Sequence, residues 1–285
     1  MPKAIDVHVH IPGPTPESNE RSEAMRQYFH AAPPPKDIDE VAELYGRLDI
    51  FGVLFAIDSE TVTGEPPISN DYVARCAAKY PKQFIGFGSV DPHKGQMAVR
   101  EAERCVKELG LRGFKFQAGV QRFFANDPRF YPLWEKLQEL GAVALMHSGT
   151  TGVGVGQPGG GGIKLGYMRP IPYMDDVAAD FPDLTIILAH PAFPWQDEQL
   201  AMLVHKPNVY MDMSGWSPKY FSPLLVQYAK TLAQDKVMFG SDFPMMSPER
   251  WMNEFEILGI DDEVVRRKIF FENAKRVLKL DIEAA

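Results

Sequence analysis

Eight short runs rich in β-branched and aromatic residues recur along the 285-residue chain, and longer segments of helical period separate them. The runs fall at 3–10 (KAIDVHVH), 50–57 (IFGVLFAI), 84–90 (FIGFGSV), 112–117 (RGFKFQ), 142–147 (AVALMH), 185–190 (TIILAH), 208–213 (NVYMDM) and 236–240 (KVMFG). Helical patterns are expected near 37–48, 69–79, 96–109, 130–139, 171–180, 196–205, 219–233 and 248–257; the first has an acidic opening turn and Arg47 near its end, as the helix dipole favours. Strand and helix in alternation imply parallel strands joined by crossover helices. An open doubly wound sheet shows the same alternation. The count of eight selects the closed (β/α)8 TIM barrel, which commonly runs to about 250 residues as one domain. The expectation is therefore a single α/β domain over 1–285, closed by a short packing helix from the tail ENAKRVLKL.

Composition narrows the function. The chain is 45% hydrophobic and 24% charged, with a net charge of -8 and an isoelectric point near 5.4. An acidic chain with no basic stripe repels a phosphate backbone, so nucleic acid is not an expected partner. Cys76 and Cys105 sit in helix-like stretches and read as reduced core thiols. The opening MPKAIDVHVH has no basic and apolar leader, and no run reaches the ~18 apolar residues of a membrane span. The expectation is a cytoplasmic enzyme with a small-molecule substrate and no membrane partner. A homodimer, common among soluble enzymes, stays open.

Polar residues gather at one end of the expected barrel. Period-two alternation in the first strand puts Asp6, His8 and His10 on one face and Ile5, Val7 and Val9 on the other, toward the helices. Imidazoles at i and i+2 are able to ligate one metal ion together. His147 closes the fifth strand, His190 closes the sixth, and Asp242 follows the eighth. Active sites of this fold are built at the carboxyl ends of the strands, so these residues converge on one mouth. His30, His93 and His205 read as ordinary loop or helix residues. The loop GVGVGQPGGGG at 152–162 directly follows the fifth strand, where long loops commonly gate a site. Its G-x-G-x-x-G at Gly154, Gly156 and Gly159 contains Pro158 and opens no helix, so it is not a dinucleotide site. G-x-S-x-G, a Walker-type loop and H-E-x-x-H are all missing from the sequence.

With HVH in the first strand, then LMH, LAHP and FGSDFP, the sequence resembles the amidohydrolase superfamily, and within it the amidohydrolase-related branch that includes aminocarboxymuconate-semialdehyde decarboxylase. The resemblance runs from Asp6 to the NAKRVL tail. It implies that His8, His10, His147 and Asp242 bind one divalent metal ion, with zinc the first expectation and manganese the second. It also implies that His190 orients or deprotonates a metal-bound water, with Asp242 as ligand, base or both. Some superfamily members carry a carbamylated lysine at the end of the fourth strand. Here the likeness is incomplete, and Lys115 is read as a contact for a substrate carboxylate, with Gln117 as a polar neighbour. From its place after the glycine loop, Arg169 reads as a second carboxylate contact or a surface arginine, and Trp195, Trp216 and Tyr220 as walls for a planar substrate or as outer-layer packing.

Two reactions fit this constellation. The first expectation is a metal-dependent hydrolase of a small acidic or aromatic carbonyl compound, including cleavage of a β-ketoacyl carbon–carbon bond. The alternative is a nonoxidative decarboxylase, a carboxy-lyase, of an aromatic or muconate-type acid. A non-catalytic binding barrel is the third reading.

Overall fold

The computed structural model describes residues 2–14, 20–29 and 31–284. Eight strands alternate with helices: β1 Ala4–His10, β2 Ile50–Phe55, β3 Phe84–Gly86, β4 Gly113–Phe116, β5 Val143–His147, β6 Thr185–Ala189, β7 Val209–Asp212 and β8 Val237–Met238. All pairings are parallel, in the orders β1-β2-β3 and β4-β5-β6-β7-β8. Single bridges join the two sets, Gly88 to Phe114 on one side and Val9 to Phe243 on the other. The second seam carries hydrogen bonds from His10 N to Phe243 O (2.8 Å) and from Asp242 N to His8 O (3.0 Å). The sheet thereby closes into the expected TIM barrel.

Two hydrophobic layers hold it. Inside the barrel, Ile5, Val7, Phe51, Val53, Phe55, Leu145, Ile187 and Met238 pack together. Phe271, Ala274, Val277 and Leu278, in and around the helix Asn273–Val277, join the same cluster. The Arg112 guanidinium, just before β4, donates to Lys279 O (3.2 Å), so the tail plugs the end opposite the mouth, as the packing-helix expectation requires. The outer layer pairs Ala4, Val9, Leu54 and Val209 with helix residues such as Val41, Ala42 and Trp251. Among the described residues no helix is long and apolar enough to cross a membrane.

The alternation expected in β1 is corrected. Ile5 and Val7 point into the barrel, while Asp6 points out, accepting a hydrogen bond from the Tyr45 hydroxyl (2.8 Å) of helix Ile38–Arg47. The register between β1 and β2 slips between Asp6 and Val9. This bulge inserts one residue and reverses the phase, so His8 and His10 face the mouth and Val9 packs outward against the helices.

Several strands are shorter than expected: β3 ends at Gly86 and β8 is two residues long. The 219–233 segment is a turn at Pro218–Tyr220 followed by helix Pro223–Lys230. An unanticipated helix, Glu20–Tyr28, lies over the glycine loop, where a Cβ at Gly152 would stand 2.9 Å from the Phe29 ring.

Fully burying an aliphatic side chain stabilises by about 1.5–3 kcal/mol. Leu145 lies wholly inside the barrel and Leu232 is 68% exposed. Leu145→Ala is expected to lower unfolding free energy in urea by about 2–5 kcal/mol, and Leu232→Ala to change it by no more than about 0.5 kcal/mol.

Candidate metal centre

The closed barrel brings His8 and His10 of β1, His147 of β5, His190 just after β6 and Asp242 after β8 to one mouth. His8 Nε2 and His10 Nε2 lie 3.3 and 3.2 Å from the same oxygen, Asp242 Oδ1. His190 Nε2 lies 3.1 Å from His147 Nδ1, and the His8 and His190 rings are 4.6 Å apart. His8, His190 and Asp242 form the tightest group, each offering a donor atom within 4.8 Å of the others. His10 and His147 adjoin that group through Asp242 and His190. The Phe55 ring packs edge-on against His8 and His10, at 5.0 and 4.8 Å. The His8 side chain is fully buried, whereas His10 and Asp242 are 33% and 20% exposed and form the side open to solvent.

Hydrogen-bond partners decide where the imidazole protons sit. A carboxylate or a carbonyl oxygen only accepts, so a ring nitrogen facing one carries the hydrogen. His8 Nδ1 faces Asp212 Oδ2 at 3.0 Å, His190 Nδ1 faces the Ser214 carbonyl at 3.1 Å, and His147 Nε2 faces the Thr150 carbonyl at 3.1 Å. His8 has a carboxylate at each nitrogen, but its neutral ring has one hydrogen, which goes to the shorter contact with Asp212 rather than to Asp242 Oδ1 at 3.3 Å. The Lys115 ammonium, 3.4 Å from Nε2, is a donor there. His8 Nε2, His190 Nε2 and His147 Nδ1 are then bare, without a hydrogen. Burial, then the positive charge of Lys115, holds His147 down to about 3. Burial likewise pushes His8 and His190 well below the ordinary imidazole value. Neutral imidazoles with lone pairs 3.1 Å apart repel one another unless a cation lies beside them. Three bare nitrogens and a carboxylate are the donor set that a divalent transition metal takes.

The backbone around these donors is tightly constrained. His190 and Asp242 have φ of 68° and 71°, in the left-handed region that costs a non-glycine residue about 1–3 kcal/mol. Each is held by its own amide: His190 N donates to Asp212 Oδ1 (3.2 Å) and Asp242 N to His8 O (3.0 Å). Gly215 lets the chain pass the site, since a Cβ there would stand 2.6 Å from His190 Nδ1. Asp6 accepts from His8 N (3.0 Å), Ser241 N (2.9 Å), the Ser241 hydroxyl (2.5 Å) and Tyr45. Burial raises its carboxyl to about 6 against those four hydrogen bonds.

The remaining expected residues divide. Lys115 is buried below the histidines, its Nζ 3.4 Å from His8 Nε2 and 5.5 Å from the Phe55 ring centre; burial lowers it to about 8 although Asp212 and Asp242 oppose the shift. Trp216, half-buried, follows Gly215 and meets Phe193 at 5.7 Å. Gln117 caps the turn at Gly119 and donates to the Thr151 hydroxyl (3.0 Å). The Arg169 guanidinium is 46% exposed and paired with Glu198 at 2.6 Å. Tyr220 is 65% exposed; Trp195 is half-buried. His93 bonds to Gln121 O (2.9 Å), His205 is exposed, and His30 lies outside the described residues. Asp212, Ser214 and Phe55 were not singled out from the sequence. The available signal was a polar residue closing β7, in the position that His147 has in β5.

Stability should respond to acid through these groups. The unfolded chain takes up imidazole protons near pH 6.5, while His8, His147 and His190 stay neutral in the folded chain, so the unfolded state binds more protons below that pH and stability falls. Between pH 7 and 5 His147 alone removes about 2 kcal/mol. Asp6 acts in the opposite sense, because its folded carboxyl is protonated before the unfolded one. The metal-free protein is expected to lose net stability in urea titrations from pH 7 to 5; a level or rising profile would contradict neutral buried histidines.

The amidohydrolase family model matches residues 5–280. The chain is 35% identical over 78 residues to 2-amino-3-carboxymuconate-6-semialdehyde decarboxylase of Dictyostelium discoideum, a stretch covering 27% of this chain and 22% of that protein. It is 26% identical over 255 residues to gamma-resorcylate decarboxylase of Polaromonas sp. (strain JS666), covering 75% of this chain and 76% of the relative. A solved structure of a dihydroxybenzoic acid decarboxylase from Polaromonas sp. JS666, with bound manganese and the inhibitor 2-nitroresorcinol, is similar at a TM-score of 0.66 and 22% identity, over 99% of this chain and 98% of that one. With the family model matched over residues 5–280 of 285, the chain belongs to the amidohydrolase family.

Proposed function

We propose that the chain is a metal-dependent, nonoxidative decarboxylase of a small aromatic or muconate-type acid. The observation that carries this reading is the match over three quarters of the chain to a decarboxylase. The hydrolase expectation gives way to the alternative on that ground. In this reading His8, His10, His147 and Asp242 hold one divalent ion, zinc or manganese, and His190, which groups tightly with His8 and Asp242 and has its Nε2 3.1 Å from His147 Nδ1, stands beside that ion. Lys115 fixes a positive charge beneath them, and Trp216 lies along the wall on the His190 side. When bound, the ion supplies positive charge for an anionic substrate oxygen.

The chemistry left to the chain is a proton transfer. The bond from ring or chain carbon to carboxylate breaks, its electron pair stays on that carbon, and a proton replaces the departing carbon dioxide. Of Asp242 and His190, Asp242 is the more open; it takes this proton from solvent on its exposed side and passes it to the carbon, returning to the carboxylate. His190 keeps its bare Nε2 toward the cluster and its Nδ1 hydrogen on Ser214.

Metal-loaded protein should release carbon dioxide from 2,6-dihydroxybenzoate or a related hydroxylated or unsaturated acid, in equal amount with the decarboxylated product. Asp242→Asn should lower kcat by about 10²–10⁴. Turnover of β-ketoesters or lactones to acids without carbon dioxide would return the hydrolase reading.

A further inference from the structure

Asp212 closes β7, fully buried, and its two oxygens serve different parts of the site. Oδ2 accepts from His8 Nδ1 at 3.0 Å. Oδ1 accepts from the Ser214 hydroxyl (2.5 Å), Ser214 N (2.9 Å) and His190 N (3.2 Å). The Ser214 hydroxyl has a single hydrogen, and a carboxylate offers none, so that hydrogen lies on the Asp212 side. Ser214 Oγ therefore accepts from His190 Nδ1, 2.8 Å away, alongside the Ser214 carbonyl.

We propose that Asp212 is a positioning residue that sets which nitrogen of His8 carries the hydrogen, so that His8 Nε2 faces the cluster without one, while Ser214, oriented by the same carboxylate, only adds a second acceptor for the His190 Nδ1 hydrogen that the Ser214 carbonyl already holds. The proposal rests on reading the cluster as a metal-dependent active site. Its consequences differ for the two rings. In an Asp212→Asn variant, the amide N–H groups of Ser214 and His190 keep an oxygen on the Oδ1 side. The new NH2 group then faces His8 Nδ1, which must accept. The His8 hydrogen moves to Nε2, the atom aimed into the cluster. His190 keeps its Nδ1 hydrogen, because the Ser214 carbonyl still requires it.

The test combines two measurements at neutral pH. Two-bond ¹H–¹⁵N correlation spectra of the metal-free, ¹⁵N-labelled protein report which nitrogen of each ring carries the hydrogen, and competition with a chromophoric chelator gives the affinity for Mn²⁺ and Zn²⁺. The expected wild-type result is His8 and His190 both protonated at Nδ1. Asp212→Asn should move His8 to the Nε2 form and weaken metal binding by about 10–100-fold, with His190 unchanged. Ser214→Ala should leave His8 in the Nδ1 form and metal affinity within about two-fold, since it removes neither the carboxylate nor the carbonyl. Wild-type His8 protonated at Nε2 would overturn the proposal, whatever the fold of the variants. So would an Asp212→Asn protein with unshifted His8 and unchanged affinity. Neither readout depends on the substrate, so a failure to decarboxylate any acid would count against the proposed reaction and leave this assignment standing.

Discussion

The carboxylate of Asp6 ties the first strand to the last. Its partners are the His8 amide, the Ser241 amide and hydroxyl, 235 residues away in sequence, and the Tyr45 hydroxyl of an outer helix. β8 is only two residues long, so few ladder bonds cross this seam, and the cluster is divided across it: His8 and His10 lie on one side, Asp242 on the other. A buried carboxylate is expensive unless its lone pairs are satisfied, and four donors satisfy this one. The bulge at Val7 and His8 is the local consequence, since the strand must present Asp6 outward and His8 inward within three residues.

The next layer of constraint is the distribution of protons. Burial alone would penalise a protonated imidazole at His8, His147 and His190, and the nearby Lys115 adds to that penalty. Two carbonyls and Asp212 then occupy the outer ring nitrogens. The inward nitrogens are left unprotonated by the fold itself, before any ion arrives. Left-handed backbone at His190 and Asp242 follows the same logic: each strained residue is fixed through its amide by a neighbour that also belongs to the cluster.

Much of this is legible in the sequence. The eight strand runs, the histidines closing β5 and following β6, and Asp242 after β8 all stand where strand patterning puts them, because strand termini in a closed parallel barrel share one end. The phase of β1 was not legible, because a bulge obeys long-range partners such as Tyr45 and Ser241 and leaves no mark in local alternation. Asp212 and Ser214 went unrecognised for a related reason: their partners, His8 and His190, are far away in the chain. The pairing of Arg169 with Glu198 was not legible either, because Glu198 comes from the helix that follows β6. The helix Glu20–Tyr28 has a weakly patterned polar sequence and lies between the first strand and a proline-rich stretch, where periodicity carries little signal.

Bare imidazole nitrogens and one carboxylate at the barrel mouth are proposed to form a single divalent metal site. The most direct test is elemental analysis of protein purified without chelator and reloaded, set beside a His8→Ala, His10→Ala double variant. About one zinc or manganese ion per wild-type chain is expected, and essentially none in the variant. A wild-type chain that retains no metal after reloading, or a double variant that retains as much as the wild type, would contradict it.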